Sequence, residues 1–275
     1  EATEEQLAEY REKMGLNKSL PERYVDWLTN ALKGDFGYSS QYQLRLKVST
    51  LIKERLTVTL WLAALSFLLI VLVSIPLGIL SARNKYGTLD SLITLVTQFF
   101  MSVPSFFLGM IITLIFGVIL KWFTPGVYIS PRENLALSLR FMLFPAIAVA
   151  VPKIAMVVKL LRSSLLREME LDYVRTARSK GMTGTSVLYR HVLKNALIPV
   201  ITFLAMILAD ILAGTILVEQ VFNLPGLGRL LVSSIANRDY AVVQAIVLYI
   251  ASVVIIINFL VDIVYQWIDP RVRRE

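Results

Sequence analysis

Few residues in this chain have the chemistry of a catalytic or metal-binding group. The sequence contains no cysteine and a single histidine, His191, so it offers neither a thiolate nucleophile nor a cysteine- or histidine-rich metal centre. We expect His191 to be a packed or interfacial residue rather than a base or a metal ligand. The sequence also lacks the Gly-x-x-x-x-Gly-Lys-Ser/Thr loop that cradles nucleotide phosphates. These observations predict no catalytic site, no metal site and no cofactor bound by this chain.

Asp210 is the acidic residue that lies well inside a long apolar stretch. Ionisable groups inside membrane spans are functional candidates, because lipid disfavours them unless they face a partner or a water-filled cavity. Asp210 could therefore line a substrate path, or it could make a structural hydrogen bond to a neighbouring helix. Lys153 lies in another apolar stretch, close enough to one end for its side chain to reach the interface, and the sequence assigns it no role.

Five long apolar stretches must position these residues. Hydrophobic residues make up 56% of the 275, which exceeds the usual share in a soluble domain. The stretches are Leu56–Leu80, Leu92–Leu120, Ser138–Lys159, Ala196–Val218 and Ala241–Val261. Each is long enough to cross a hydrocarbon layer of about 30 Å as a helix, which satisfies its own backbone polar groups in lipid. We therefore predict an all-α, polytopic membrane protein, with a kink or tilt near Pro104 in the second span.

The loop charges predict the orientation of the spans. Thirteen lysines and arginines lie on one side, in the stretches 81–91 and 159–195 and in the C-terminal tail, against four in the opposing loops 121–137 and 219–240. The positive-inside rule places the richer side in the cytoplasm. The C-terminus is then cytoplasmic and residue 1 external. A basic surplus on such loops, with no aromatic-interleaved face, also argues against nucleic-acid binding.

Three regions follow from this pattern. Residues 1–55 form an external segment with a short helix, in which Leu20, Tyr24, Trp27, Leu28 and Ala31 recur at helical spacing, with Pro21 near the start and Gly34 as a stop signal. Residues 56–267 form the transmembrane domain, which includes the long cytoplasmic loop 159–195. Residues 268–275 form a cytoplasmic tail.

The long loop carries the most informative pattern. From Asp172 to Leu197 it reads as two short helices separated by a break at Gly181 and Gly184, with Ser186 as a candidate cap of the second. Such a hairpin, projecting from a membrane domain, suits docking in the groove of a partner. On spacing alone, an ordinary loop whose charges only fix the topology is the somewhat favoured interpretation, since such basic loops are common.

The residues of this loop resemble a known family. Arg175-Thr-Ala177 stands where the Glu-Ala-Ala of binding-protein-dependent ABC importer permeases would be, and Gly181 matches their glycine. His191-Val-Leu-Lys194 replaces the family's Ile-x-Leu-Pro, so the proline is missing. This altered form is similar to the oligopeptide, dipeptide and nickel branch. Two further stretches agree with that branch, Gly34-Asp-Phe-Gly-Tyr-Ser39 and Val218-Glu-Gln-Val-Phe-Asn-Leu-Pro-Gly-Leu-Gly-Arg229.

The resemblance implies a type I importer fold in a prokaryotic inner membrane, with a sixth, N-terminal span preceding the five that are visible. It implies a second homologous permease, two ATPase subunits that use ATP and Mg²⁺, and an extracytoplasmic binding protein as partners, with lipid around the spans. The residues it assigns to ATPase binding are Arg175, Thr176, Ala177, Arg178, Gly181, Met182, Thr183 and Gly184. Short peptides are the expected cargo.

Other functions stay open at this point. A nickel chelate or an oligosaccharide could be the cargo of a permease of the same branch. An ion-coupled secondary transporter would need several intramembrane carboxylates and inverted repeats, and the sequence shows one mid-span acid and no clear repeat. A membrane scaffold would share the spans but would not need the loop pattern.

Overall fold

A computed structural model of the chain describes residues 17–40 and 46–268. Within those residues every regular element is a helix, and one isolated pairing of extended backbone joins Tyr38 to Lys47. The predicted all-α fold is confirmed. The predictions for the tail beyond Ile268 and for the first sixteen residues of the external segment lie outside the described residues.

The helices differ widely in length. In chain order they are α1 (Leu20–Leu32), α2 (Val48–Arg83), α3 (Thr88–Ser102), α4 (Ser105–Ile112), α5 (Leu135–Met169), α6 (Asp172–Ser179), α7 (Gly184–Val187), α8 (Leu193–Gly214), α9 (Ile216–Val221), α10 (Leu227–Ala236) and α11 (Tyr240–Ile268). Two π-helical segments, Thr113–Ile119 and Leu188–Val192, extend α4 and join α7 to α8.

Four stretches of the described chain are long and apolar enough to cross a membrane. They are Val48–Arg83, Leu135–Met169, Gly184–Leu212 and Tyr240–Val261. Each contains or overlaps one of the predicted spans. The predicted span Ala196–Val218 ends too late in the sequence, because α8 ends at Gly214 and Thr215 interrupts the helix before α9 begins.

The remaining predicted span is bent by 100° between α3 and α4 with its π-helical extension. Val103 has an extended conformation, with φ −91° and ψ 120°, immediately before Pro104. Proline lacks the N–H that a continuous helix needs and disfavours the α conformation in the preceding residue. The kink expected near Pro104 is therefore a near right-angle turn, and the segment counts as a fifth span only if both halves are taken together.

Helix α5 lies at the centre of the hydrophobic core. Met142, Val157 and Leu161 on this helix are fully buried. Ala146, Ala148 and Ala150 are also fully buried, and such small side chains let neighbouring helices approach closely. α5 packs against α3, α4 and α8. The residues that follow at its C-terminal end are therefore attached to a well-packed helix.

The chain divides into two compact units. One comprises the described residues up to Glu54 together with Leu231–Leu248, and the other comprises Arg55–Leu230 with the described chain from Tyr249. In the first unit α1 begins with Ser19 and Glu22 forming a capping box and ends before Gly34, whose φ is +78°. Ser39 donates a hydrogen bond to Asp239 in the same unit. The helix predicted from Pro21 to Gly34 is confirmed.

Candidate functional site

The segment that joins α5 to α8 contains a short helix, a tight break and a second helix. α6 ends at Ser179, and the backbone N–H of Gly181 donates to the carbonyl of Arg178 at 2.9 Å. Gly181 has a φ of +81°, and a Cβ added there would meet nothing within 4 Å. The glycine is therefore required by the backbone conformation, which other residues rarely adopt, and not by a lack of space.

Helix α6 has one buried face and one exposed face. Val174 is 1% exposed and Ala177 is 9% exposed, and both lie in the hydrophobic core. Six of the eight residues predicted to bind an ATPase are exposed, namely Arg175, Thr176, Arg178, Gly181, Thr183 and Gly184. Met182 is half-buried. Ala177 holds α6 against the core, so the accessible face of this loop is formed by its neighbours.

The second half of the loop differs from the prediction. Thr183, not Ser186, caps the helix, because the Thr183 Oγ1 accepts a hydrogen bond from the Ser186 N–H at 3.3 Å. The helix that starts at Gly184 does not end in the loop but continues through the π-helical segment into the span, as far as Leu212. His191 lies on that π-helical segment with an exposed side chain. The break at 180–183 is therefore connected to the membrane by one uninterrupted helix.

Tyr173 links the two ends of the loop. Its hydroxyl donates to the Glu168 carboxylate at 2.6 Å and accepts from the Asn195 side-chain amide at 3.3 Å. Burial raises the pKa of the Tyr173 hydroxyl above its ordinary value, and the hydrogen bond to Glu168 acts in the same direction. The hydroxyl therefore stays protonated and can bridge α5 to the start of α8.

Asp210 forms an ion pair with Lys153, the residue to which the sequence assigned no role. The Lys153 side chain is 17% exposed and the Asp210 side chain is 65% exposed. The pair joins α5 to α8, which are the helices that lead into and out of the loop. Of the two roles considered for Asp210, the contact that it makes within this chain is the structural bond to a neighbouring helix.

A second ion pair fixes the turn between α2 and α3. Arg162 on α5 holds Asp90 through two hydrogen bonds of 2.7 Å, one from Nε and one from Nη2. The Asp90 carboxylate also accepts from the Ser81 hydroxyl at 2.5 Å and from the Tyr86 N–H at 2.9 Å. In such a bidentate pair, the hydrogen bonds offset the desolvation cost that makes buried charges unfavourable.

A buried carboxylate organises the segment after α8. Glu219 on α9 is fully buried, and its Oε1 accepts from the Thr59 hydroxyl at 2.7 Å. Its Oε2 accepts from the backbone N–H groups of Gly228 at 2.8 Å and Arg229 at 3.2 Å. Burial raises the pKa of the Glu219 carboxyl, and the hydrogen bonds oppose that rise. Through its hydrogen bonds to Gly228 and Arg229 the Glu219 side chain caps the N-terminus of α10 from a neighbouring helix.

Two glycines make room for this carboxylate. A Cβ at Gly226 would lie 2.3 Å from the Glu219 Oε2, and a Cβ at Gly228 would lie 2.5 Å from the Cα of Ile216. The Thr59 hydroxyl completes the arrangement by accepting from the Leu227 N–H at 2.9 Å. The Gly-Leu-Gly sequence after Pro225 is thus explained by close approach of the backbone to Glu219 and α9.

The family of the chain follows from a comparison with known sequences. The sequence model of the family described as "Binding-protein-dependent transport system inner membrane component" matches residues 74–274. The matched range includes the whole loop and both partners of the Lys153–Asp210 pair. The chain belongs to this family. It is a multi-pass membrane protein, as the family description and its apolar helices both indicate.

Full-length relatives of this transport component support the assignment. A probable peptide ABC transporter permease of Sinorhizobium fredii is 36% identical over 99% of this chain and 86% of that protein. The oligopeptide transport system permease protein AppB of Bacillus subtilis is 38% identical over 96% of this chain and 84% of its own length. A putative peptide transport system permease of Brucella abortus is 38% identical over the whole chain and 87% of its own length.

Solved structures of ABC importers share the fold. The chain aligns with an amino acid ABC transporter with histidines at a TM-score of 0.61 and 17% identity, over 79% of this chain and 94% of that one. It aligns with the MetNI methionine ABC transporter in an inward-facing conformation at a TM-score of 0.60 and 18% identity, over 80% of this chain and 96% of that one. The type I importer permease fold expected from the resemblance is confirmed.

The sequence of this transport component did not reveal three of its buried polar groups. Arg162 belongs to the basic loop residues that predict the orientation, Asp90 stands in no pattern of the sequence, and Glu219 stands only within a stretch that resembles the family. The spacing of Gly226 and Gly228 is the one signal that could have indicated a close approach of the backbone to another part of the chain. Nothing in the sequence indicates which residues pair with Asp90.

Proposed function

We propose that this chain is the permease subunit of an ATP-driven peptide importer and that the exposed face of the loop at 175–184 binds an ATPase subunit. The observation that carries the proposal is the loop itself. It is a polar, basic turn, fixed by Gly181 and Tyr173, and it lies between two helices that lead into the membrane. ATP and Mg²⁺ then bind to the ATPase partners, and this chain performs no catalysis of its own.

Short peptides are the cargo that the relatives favour. The proteins that match nearly the full chain are described as peptide or oligopeptide permeases. A nickel chelate or an oligosaccharide is the alternative cargo within the same branch. The remaining partners are a second homologous permease and an extracytoplasmic binding protein that delivers the peptide.

The loop charges support an orientation in the prokaryotic inner membrane. The basic loops lie in the cytoplasm with the C-terminus, and residue 1 is external. The loop at 175–184 then faces the compartment that contains ATP. The segment at 17–40 faces the side from which a binding protein would approach.

The fold provides a route from the loop into the membrane. When the ATPases close on ATP, the loop moves with them as a rigid body, and α5 and the helix from Gly184 carry the movement into the bundle. The Lys153–Asp210 pair holds these two helices together within the span. We place Asp210 on the substrate path, because its carboxylate remains 65% exposed although it is paired.

Peptide uptake by the reconstituted complex tests the function. Gly181→Pro cannot adopt the φ of +81° and removes the N–H that bonds to Arg178, so it should abolish ATP-dependent uptake of a radiolabelled tripeptide into proteoliposomes. Gly34→Pro is a matched control, since Gly34 has a φ of +78° and donates to Ala31 at 2.9 Å, but it lies outside the loop.

The two variants separate coupling from folding. We expect the complex of the Gly34→Pro chain to retain most of its uptake. The complex of the Gly181→Pro chain should lose uptake together with ATPase stimulation by the peptide-loaded binding protein. Uptake by the wild-type chain that runs on an ion gradient without any ATPase would instead support the secondary transporter.

A further inference from the structure

Helix α3 carries a polar stripe on a face that the chain itself leaves open. Ser91, Thr94, Gln98 and Ser102 follow each other at intervals of three or four residues, which places them on one side of the helix. All four side chains belong to exposed residues. In a membrane-spanning helix, hydroxyl and amide groups that face hydrocarbon lose their hydrogen bonds to water. The Ser102 hydroxyl avoids this loss by donating to the Gln98 carbonyl of its own helix at 3.3 Å, whereas Ser91, Thr94 and the amide nitrogen of Gln98 gain from water or from another molecule that can pair with them.

The other faces of α3 have different surroundings. Ile93 and Thr97 are buried, and the Thr97 hydroxyl bonds to the Thr94 carbonyl at 3.0 Å. Leu92 and Val96 are exposed and apolar, as expected of side chains in contact with lipid. The helix thus has a buried face, an exposed apolar face and an exposed polar face.

A groove of about 770 Å³ runs along the polar face. It is lined by the four residues of the stripe and by the apolar side chains of Leu95 and Phe99, and we call it the α3 groove. Its volume is in the range of pockets that hold small molecules. The combination of polar groups that fix orientation with apolar groups that supply contact area is typical of a ligand site.

Charged residues lie beside the polar groups of the groove. Asp90 and Arg162, which also line the groove, neutralise each other in their ion pair. The Lys159 Nζ lies 3.5 Å from the Gln98 Oε1 and is exposed. Hydroxyl and amide groups both donate and accept hydrogen bonds, as a peptide backbone also does whatever its side chains are. The lysine adds a cation for a carboxylate.

We propose that the α3 groove is a subsite of the translocation path and binds the backbone of a short peptide. This inference rests on the proposed import function and names the residues that would meet the cargo. Recognition through backbone groups does not depend on the peptide sequence, which suits a carrier whose selectivity lies in a separate binding protein. The competing occupant is a helix of the second permease.

Thiol labelling tests the proposal, because the natural chain has no cysteine. Thr94→Cys, Gln98→Cys and Ser102→Cys are introduced singly, and the full complex is reconstituted with its binding protein. A charged, membrane-impermeant maleimide should label all three. With trialanine at ten times its half-saturating concentration, labelling should slow about tenfold, as mass action requires of a site that the peptide occupies. Val127→Cys, an exposed loop position outside the groove, is the control whose labelling the peptide should not change, whereas Leu92→Cys and Val96→Cys should resist the reagent because lipid covers them.

Two outcomes would overturn the proposal. In the first, trialanine leaves the labelling rates of the groove cysteines unchanged. In the second, these cysteines resist the maleimide and form cross-links to the second permease, which would show that a protein helix fills the groove. Uptake of trialanine by the parent chain in the same vesicles separates the failures. Uptake without protection overturns the subsite alone, whereas absence of both uptake and protection overturns peptide import and the subsite with it.

Discussion

At the scale of single residues, Glu219 makes the sharpest prediction about stability. The carboxylate of this fully buried residue accepts hydrogen bonds from the N–H groups of Gly228 and Arg229 and from the hydroxyl of Thr59. Glu219→Ala leaves these donors without a partner, which should destabilise the fold by about 3 kcal/mol. Thermal unfolding of the purified complex, followed by size-exclusion chromatography in detergent, measures the effect.

The matched variant for this prediction is Glu219→Gln. The amide keeps one oxygen that can accept from the N–H groups and has nearly the same shape, so we expect a loss of about 1 kcal/mol. Glu133→Gln, at an exposed glutamate, should leave the midpoint unchanged. An alanine variant at 219 with the stability of the wild type would show that the buried network does not hold α10 in place.

Thr94 and Thr97 give a matched pair on one helix. Thr94 lines the α3 groove, whereas Thr97 is buried and bonds to the backbone of its own helix. Thr94→Val together with Gln98→Leu should raise the half-saturating peptide concentration for uptake about tenfold, because each lost hydrogen bond contributes about 0.5–1.5 kcal/mol. Thr97→Val should leave that concentration unchanged. Equal effects of the two changes would contradict a role for the polar face.

At the scale of elements, the Lys153–Asp210 pair should couple α5 to α8. Lys153→Met or Asp210→Asn alone leaves an uncompensated charge in a membrane span, which should cost about 2 kcal/mol, whereas the double variant removes both charges and should cost less than the sum. A double-mutant cycle on the thermal stability of the complex measures the coupling energy. Strict additivity of the two changes would mean that the pair does not stabilise the bundle.

The elements themselves were largely predictable from the sequence. Uncharged stretches that are long enough to cross a bilayer predict the spans. Pro21 and Gly34 predict where α1 begins and ends. The size of the bend at Pro104 was not predictable, since proline only breaks the helix and packing sets the angle of 100°. The continuous helix from Gly184 was missed, because the capping group is Thr183 and the span begins inside the apparent loop.

The polar contacts were not predictable, because the paired residues are far apart in the sequence. The partners in the three polar contacts are separated by 57 residues at Lys153–Asp210, 72 at Asp90–Arg162 and 160 at Thr59–Glu219. Helical spacing relates residues three or four positions apart and says nothing about such pairs. The resemblance to the permease family identified the loop, but the polar face of α3 became visible only with the groove that it lines.

At the scale of the whole molecule, one exposed loop is joined to a membrane domain that moves peptides. The loop is held by Ala177 and Tyr173, and it exposes Arg175, Thr176 and Thr183 to solvent. α5 and the helix that starts at Gly184 connect it to the span. If an ATPase subunit binds this face, energy from ATP enters the chain here.

Cross-linking between the loop and an ATPase subunit tests this central claim most directly. Thr176→Cys and Thr183→Cys, each in the naturally cysteine-free chain, are treated with a short bifunctional thiol-to-amine reagent in membranes that contain the whole complex. We expect a cross-linked product with the ATPase at both positions and none at Val127→Cys, an exposed position in the loop before α5. Absence of the product at both loop positions, in complexes that still import peptide, would contradict the account.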